Sequence, residues 1–195
     1  MKYTTEVDVE NYLLTTIDPT FTSAEGDTQI DKWIEAMSRF MDRKCNRTLC
    51  DTEESARKFD GNGRNSMVID EVNAISAITI DEVDVLASVL QYPTSEPRTN
   101  ELRMQNQYFT KGLQNVEVTG IFAMFGVADV DDVPEDIRHA CTVLVGGIVN
   151  HAMNKTNDVK SEKVGQYSVT YTDPNQSRDF TMAMQTLNAY RRIAV

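Results

Sequence analysis

The chain has 195 residues, 41% of them hydrophobic and 25% charged, which suits one domain with an embellishment around a real core and excludes wholesale disorder. Thirty acids against nineteen Lys and Arg give a formal net charge of −11. That balance repels a phosphate backbone and argues against a nucleic-acid binder working through a basic face.

The acids are spread along the chain, where they serve solubility. Met1-Lys2-Tyr3-Thr4-Thr5-Glu6-Val7-Asp8 turns acidic before any apolar run forms, so no signal peptide is expected. The longest apolar run, residues 143–149, is interrupted by Gly146 and Gly147 and is far too short for a membrane span. Cys45, Cys50 and Cys141 make an odd count, which argues against a disulfide framework and for a reducing compartment.

Thr5 reads as the N-cap of a first helix, with Glu6 favouring its positive end and Asp8 three residues after the cap. This helix runs to about Leu14, presents Val9, Tyr12 and Leu13 on one side, and is broken by Asp18-Pro19. A second helix, residues 27–47, carries Ile30, Trp33, Ile34, Met37, Met41 and Cys45 at helical spacing. Its other face holds Asp31, Glu35, Arg39 and Lys44, and Trp33, the one tryptophan, is expected to anchor the core.

Residues 51–125 change character. Phe59-Asp60-Gly61-Asn62-Gly63-Arg64 reads as a turn, here a hairpin turn. Short β-branched runs follow at 67–69, 75–80 and 83–85, then a loop at 93–100, a strand pair at 102–109 and a strand at 116–122. Val133-Pro134 opens a third helix, and Asp131, Asp132, Glu135 and Asp136 favour that end. Ile137, Ala140, Cys141, Leu144, Ile148 and Ala152 form its stripe, widened by Val143, Val145 and Val149, so it should be mostly buried. Gly146-Gly147 predicts close backbone packing or a bend. Tyr167, Val169 and Tyr171 alternate with Ser168, Thr170 and Thr172 as a strand. Residues 180–193 form a last helix, with Arg191-Arg192 near its negative end.

The expected fold is mainly α with β: a small bundle of about four helices carrying an inserted antiparallel β-rich subdomain. Its parts are the N-terminal helices (1–57), the β-rich insertion (58–126), the central helix with the following strand (127–178) and a C-terminal helix (179–195).

No constellation suggests catalysis, and no cofactor or metal is implied. The loop at Asp60 fails the calcium pattern, because Arg64 and Asn65 stand where an oxygen ligand and glycine belong. The Asp129 to Asp132 cluster is explained by helix-start electrostatics. His139 and His151 lie on one helix, about 18 Å apart along its axis, and cannot share a metal within one subunit. No phosphate-cradling glycine loop is present. A small acidic enzyme using Asp60 or the Asp129 to Asp132 cluster, or a generic soluble binding module, remains the alternative.

An ordered series of short segments carries a resemblance: Tyr3-Thr4-Thr5-Glu6-Val7; Ile30-Asp31-Lys32-Trp33-Ile34 with Arg39 through Arg47; Lys58-Phe59-Asp60-Gly61-Asn62-Gly63; Asn115-Val116-Glu117-Val118-Thr119-Gly120 with Val133-Pro134-Glu135-Asp136-Ile137; Ser161-Glu162-Lys163-Val164-Gly165-Gln166-Tyr167-Ser168-Val169; and Tyr190-Arg191-Arg192. The chain resembles the head–tail connector (adaptor, or head-completion) proteins of long-tailed bacteriophages over nearly its full length. One departure stands at Ile121-Phe122-Ala123-Met124-Phe125-Gly126, where related chains often carry a tryptophan and glycine.

The resemblance implies a virion neck protein, assembled in the host cytoplasm as a ring, commonly of twelve subunits, beneath the portal. Its partners would be the portal protein, a stopper or tail-completion protein and further copies of itself. DNA would pass through without sequence-specific binding, and no membrane would be involved. The resemblance assigns portal docking to the C-terminal segment, and hence to Phe180, Met184, Leu187, Tyr190, Arg191 and Arg192. Asp60, Asn62, Arg64, Tyr167 and Tyr171 are the candidates for an assembly surface on the β-rich parts.

Overall fold

The computed structural model describes residues 1–22, 28–91, 100–154, 161–164, 167–170 and 178–192. The chain divides into two units, one of Met1–Arg47 with Asp129–Val195 and one of Thr48–Ala128. The first holds helices α1 (Glu6–Leu13), α2 (Pro19–Thr22), α3 (Gln29–Cys45), α4 (Glu135–Asn154) and α5 (Arg178–Ala189), with a hairpin of β10 (Ser161–Val164) and β11 (Tyr167–Thr170). The second holds nine strands among its described residues.

In the helical unit, α1 and α3 start in the same way. Thr5 and Thr28 each accept from the backbone N–H three residues on, and Asp8 and Asp31 return the bond to the cap. Such a cap is worth about 1 kcal/mol. Both helices end at a left-handed residue, Leu14 and Asn46. α3 buries Ile30, Ile34, Ser38, Met41 and Cys45. Trp33 is not in that stripe. It is half-buried on the flank and packs against Phe21 at 5.4 Å between ring centroids, so the expectation that it anchors the core is corrected.

The residues ahead of α1 are a strap across the bundle. Tyr3 is 1% exposed; its hydroxyl donates to Asp42 at 2.6 Å and its N–H to Ser38 Oγ at 3.1 Å. Thr4 and Thr142 are buried and share a hydroxyl hydrogen bond of 2.6 Å, which joins the strap to α4. Lys2 closes the strap on Asp31 at 2.7 Å. That hydrogen bond, helped by the Thr28 cap and opposed by burial, holds the Asp31 carboxyl below its ordinary range.

α4 buries Ile137, Ala140, Cys141, Val143, Leu144, Val145 and Val149, and α1, α3 and α5 all pack against it. Its two glycines differ. A Cβ on Gly146 would stand 2.7 Å from the Tyr12 ring, whereas Gly147 faces open space. Tyr12 lies edge-on to His139 and its hydroxyl donates to Asp179 at 3.1 Å, so one tyrosine links α1, α4 and α5.

The sheet unit begins at the short β1 (Cys50–Asp51), ahead of the residue 58 expected from sequence. β1 pairs in parallel with β9 (Phe125–Gly126), which brings the two ends of the unit together. Between them, β2 (Ser55–Gly61), β4 (Ala74–Ile80), β5 (Val83–Asp84) and β8 (Gly112–Ile121) form an antiparallel sheet in the order β2-β8-β4-β5. A second antiparallel sheet has the order β3-β7-β6, from β3 (Ser66–Val68), β6 (Val89–Gln91) and β7 (Glu101–Met104). Ile78, Ile80, Val116 and Val118 of the first sheet and Met67, Val89, Leu102 and Met104 of the second share one core with Phe109 and Phe122. The turn at 60–65 is therefore not a hairpin turn: it passes from β2 in one sheet to β3 in the other. The expected strand pair at 102–109 is a single strand followed by irregular chain, in which Phe109 is buried.

Gly147→Ala is expected to raise stability by up to about 1 kcal/mol, while Gly146→Ala, which must displace Tyr12, lowers it; the difference in melting temperature checks this. Asp31, with its depressed carboxyl, adds stability above its unfolded pKa that is lost as pH falls through the folded value. Asp31→Asn should therefore flatten the fall of melting temperature on the acid side, below about pH 4.

Candidate assembly surface

The sequence-predicted candidates Asp60, Asn62 and Arg64 do gather at one place, where the side chains of Asp60 and Asn62 and the backbone of Arg64 serve the turn itself. Asp60 Oδ1 accepts from Gln114 N–H at 2.7 Å. Asn62 Nδ2 donates to Ser66 O, and its Oδ1 accepts from Arg64 N–H, both at 2.8 Å. Gly63, at φ 72°, donates to Phe109 O, and Phe109 N–H donates to Arg64 O. Asn115 accepts from Gly61 N–H at 3.0 Å and donates to Thr110 O at 3.0 Å. The 60–65 and 105–115 segments thus form one ordered tip. Its outward apolar groups are Tyr108, 70% exposed, and Leu113, 86% exposed. Neither was singled out from sequence, because a lone apolar residue in a polar stretch carries no periodic signal.

A second exposed feature is the β4–β5 hairpin. Its two turn residues, Asp81 and Glu82, both sit at positive φ, 49° and 67°. A two-residue turn of this kind favours Asn-Gly, and non-glycine side chains there cost on the order of 1 kcal/mol or more each. Two acidic side chains are held at the turn, followed by Val83 and by Asp84, which caps Leu86 N–H at 2.9 Å. The flanking runs 75–80 and 83–85 are expected from sequence as separate short strands; the two-residue gap between them is the signal by which the hairpin could have been found.

Of the remaining candidates, Tyr167 lies in β11, paired with Val164 of β10. Tyr171 lies outside the described residues. The Asp129 to Asp132 cluster is a local turn: Asp129 Oδ1 accepts from Asp131 N–H at 2.8 Å and Asp132 N–H at 3.3 Å. Arg138 bridges Glu135 at 2.8 Å and Asp131 at 3.6 Å.

The C-terminal set is divided by the fold. Leu187 is fully buried and, with Ala183, packs α5 into the bundle; Phe180, Met184 and Tyr190 are half-buried. Cys45 Sγ donates to Leu187 O at 3.3 Å and Arg192 N–H donates to Cys45 O at 2.8 Å. The Tyr190 hydroxyl donates to Asp136. Of the set, Arg191 is the exposed one. The three thiols are buried, and burial pushes Cys141 up to about 12, so none is a poised nucleophile.

The family model described as "Head completion protein" matches residues 5–193. The chain belongs to this family. Membership makes it a structural protein rather than an enzyme. No curated protein matches the chain. Among solved structures, a chain from the neck of an empty gene transfer agent particle computed with C6 symmetry aligns with a TM-score of 0.60 at 13% identity, covering 97% of this chain and 89% of that chain. One from the neck of the native particle computed with C12 symmetry gives 0.52 at 13% identity, covering 86% and 84%. One from the virion of the native particle gives 0.52 at 14% identity, covering 89% and 81%. At these identities the likeness is one of fold. Among the described residues no helix is long and apolar enough to cross a membrane.

Replacing Asp81-Glu82 by Asn-Gly relieves the positive-φ cost. It is expected to raise the stability of the sheet unit by about 1 kcal/mol or more, read as a higher denaturant midpoint.

Proposed function

We propose that this head completion protein is a head–tail connector (adaptor) of the virion neck, which assembles as a ring, of twelve subunits, between the portal protein and a stopper or tail-completion protein and extends the DNA channel. The observation that carries this reading is the family match over residues 5–193. The fold likeness to neck chains of particles computed with C6 and C12 symmetry supports it.

The acidic balance suits a channel wall past which a polyanion slides, and duplex DNA is not read or held tightly. The portal contact is assigned to the C-terminal segment, with α5 kept in its bundle. Leu187 and Ala183 belong to the core, so a truncation after Asp179 would damage the fold as well as the contact. The cleaner variant is Arg191→Glu, whose side chain is exposed.

The test is the mass of the full chain alone and mixed with its portal protein. A complex of fixed stoichiometry with portal is expected, weakened at least several-fold by Arg191→Glu without change in melting temperature. Failure to bind portal under any salt or concentration would sink the connector reading. Unchanged binding by Arg191→Glu would remove this residue from the contact.

A further inference from the structure

α3 carries a charged line on its outer face. Lys32, Ala36, Arg39 and Arg43 are all exposed and stand at positions i, i+4, i+7 and i+11. They form one stripe about 16 Å long. The acids of α3 do not neutralise it fully. Asp31 is turned to Lys2, Asp42 accepts from Tyr3, and Glu35 makes an exposed pair with Arg39 at 3.3 Å. Exposed pairs of that kind hold their partners weakly. Lys32 has no side-chain hydrogen bond or ion pair among the described residues.

The β4–β5 turn is the converse surface. Asp81, Glu82 and Asp84 are exposed and surround Val83, which is 64% exposed. Asp81 and Glu82 make no side-chain hydrogen bond or ion pair among the described residues. The turn keeps these two carboxylates on backbone that a glycine would occupy more easily.

We propose that the α3 stripe is the docking face for the β4–β5 turn of a second copy of this chain, a contact that rests on the ring reading above. Charge complementarity selects this occupant. Two copies at a net charge of −11 repel each other, so a stable contact must set bases against acids. Lys32, Arg39 and Arg43 meet Asp81, Glu82 and Asp84, and Val83 lies against the small Ala36. Because the two patches differ, the contact is head-to-tail, and repetition closes a ring when the rotation allows.

The experiment uses the full chain carrying V83C, A36C or both, under mild oxidation. The native cysteines are buried and do not compete. A mixture of the two single variants should give a disulfide-linked dimer, and the double variant a ladder of higher multimers. D81N/E82G, in a turn made easier to form, should lower cross-linking about tenfold, as should R39E/R43E. Reversing both sides together, D81K/E82K with R39E/R43E, should restore it. Multimers that form without the cross-link overturn this contact and leave the ring reading standing. A chain that stays monomeric in every salt and concentration, with and without portal, overturns both. Duplex DNA binding that disappears in K32E/R39E/R43E while self-assembly is unchanged assigns the stripe to DNA and overturns the proposal.

Discussion

The helical unit depends on the apolar surface of α4. Ile137, Ala140, Cys141, Val143, Leu144, Val145 and Val149 cover more than one stripe, and a helix apolar on so much of its circumference must be surrounded. α1, α3 and α5 do this, and the strap of Lys2, Tyr3 and Thr4 fills what the helices leave. The polar groups drawn inside are paired: Thr4 with Thr142, Tyr3 with Asp42 and with Ser38, Cys45 with the Leu187 carbonyl. Helix α5 is short for independent stability, so its order derives from this packing. That coupling makes the last helix part of the bundle through its Ala183–Leu187 face.

The helices and most strands were legible in the sequence because each is a local pattern. The periods at 30–45 and 137–149, the cap at Thr5 and the β-branched runs at 75–80 and 116–121 all have a signal within a few residues, whereas the Thr28 cap was not read and the helix it starts was expected from residue 27. What was not legible is pairing at a distance. β2 and β3 are neighbours in sequence but pair with β8 and β7, so the turn at Asp60 bridges two sheets. Tyr3 reads as one aromatic before a cap, while its partners lie on α3, far along the chain. Trp33 has the right helical angle to be near the core, yet the smaller Ile30 and Ile34 take the interior and the indole covers Phe21.

The candidate surface was legible in part for the same reason. Asp60, Asn62 and Arg64 come together in the tip, but Asn and Asp in such turns bond their own backbone, which is why the residue types looked informative. The groups left facing outward include the Arg64 side chain, Tyr108, Leu113 and the acidic β4–β5 turn. Ordered exposed turns suit a protein whose work is contact.

The parallel pairing of β1 with β9 has a consequence for how the molecule is built. Thr48 O and Leu49 O accept from Met124 and Phe125 N–H at 3.0 and 2.9 Å, and Asp51 O accepts from Val127 N–H at 3.1 Å. The strand-rich segment therefore leaves and returns through adjacent backbones. To the helices, its whole length is equivalent to a short connector. Closing a long loop costs only slightly more entropy than closing a short one, and the clasp holds the closed form. The segment can lengthen, shorten or be exchanged for another with paired ends, while the helical bundle on either side keeps its register.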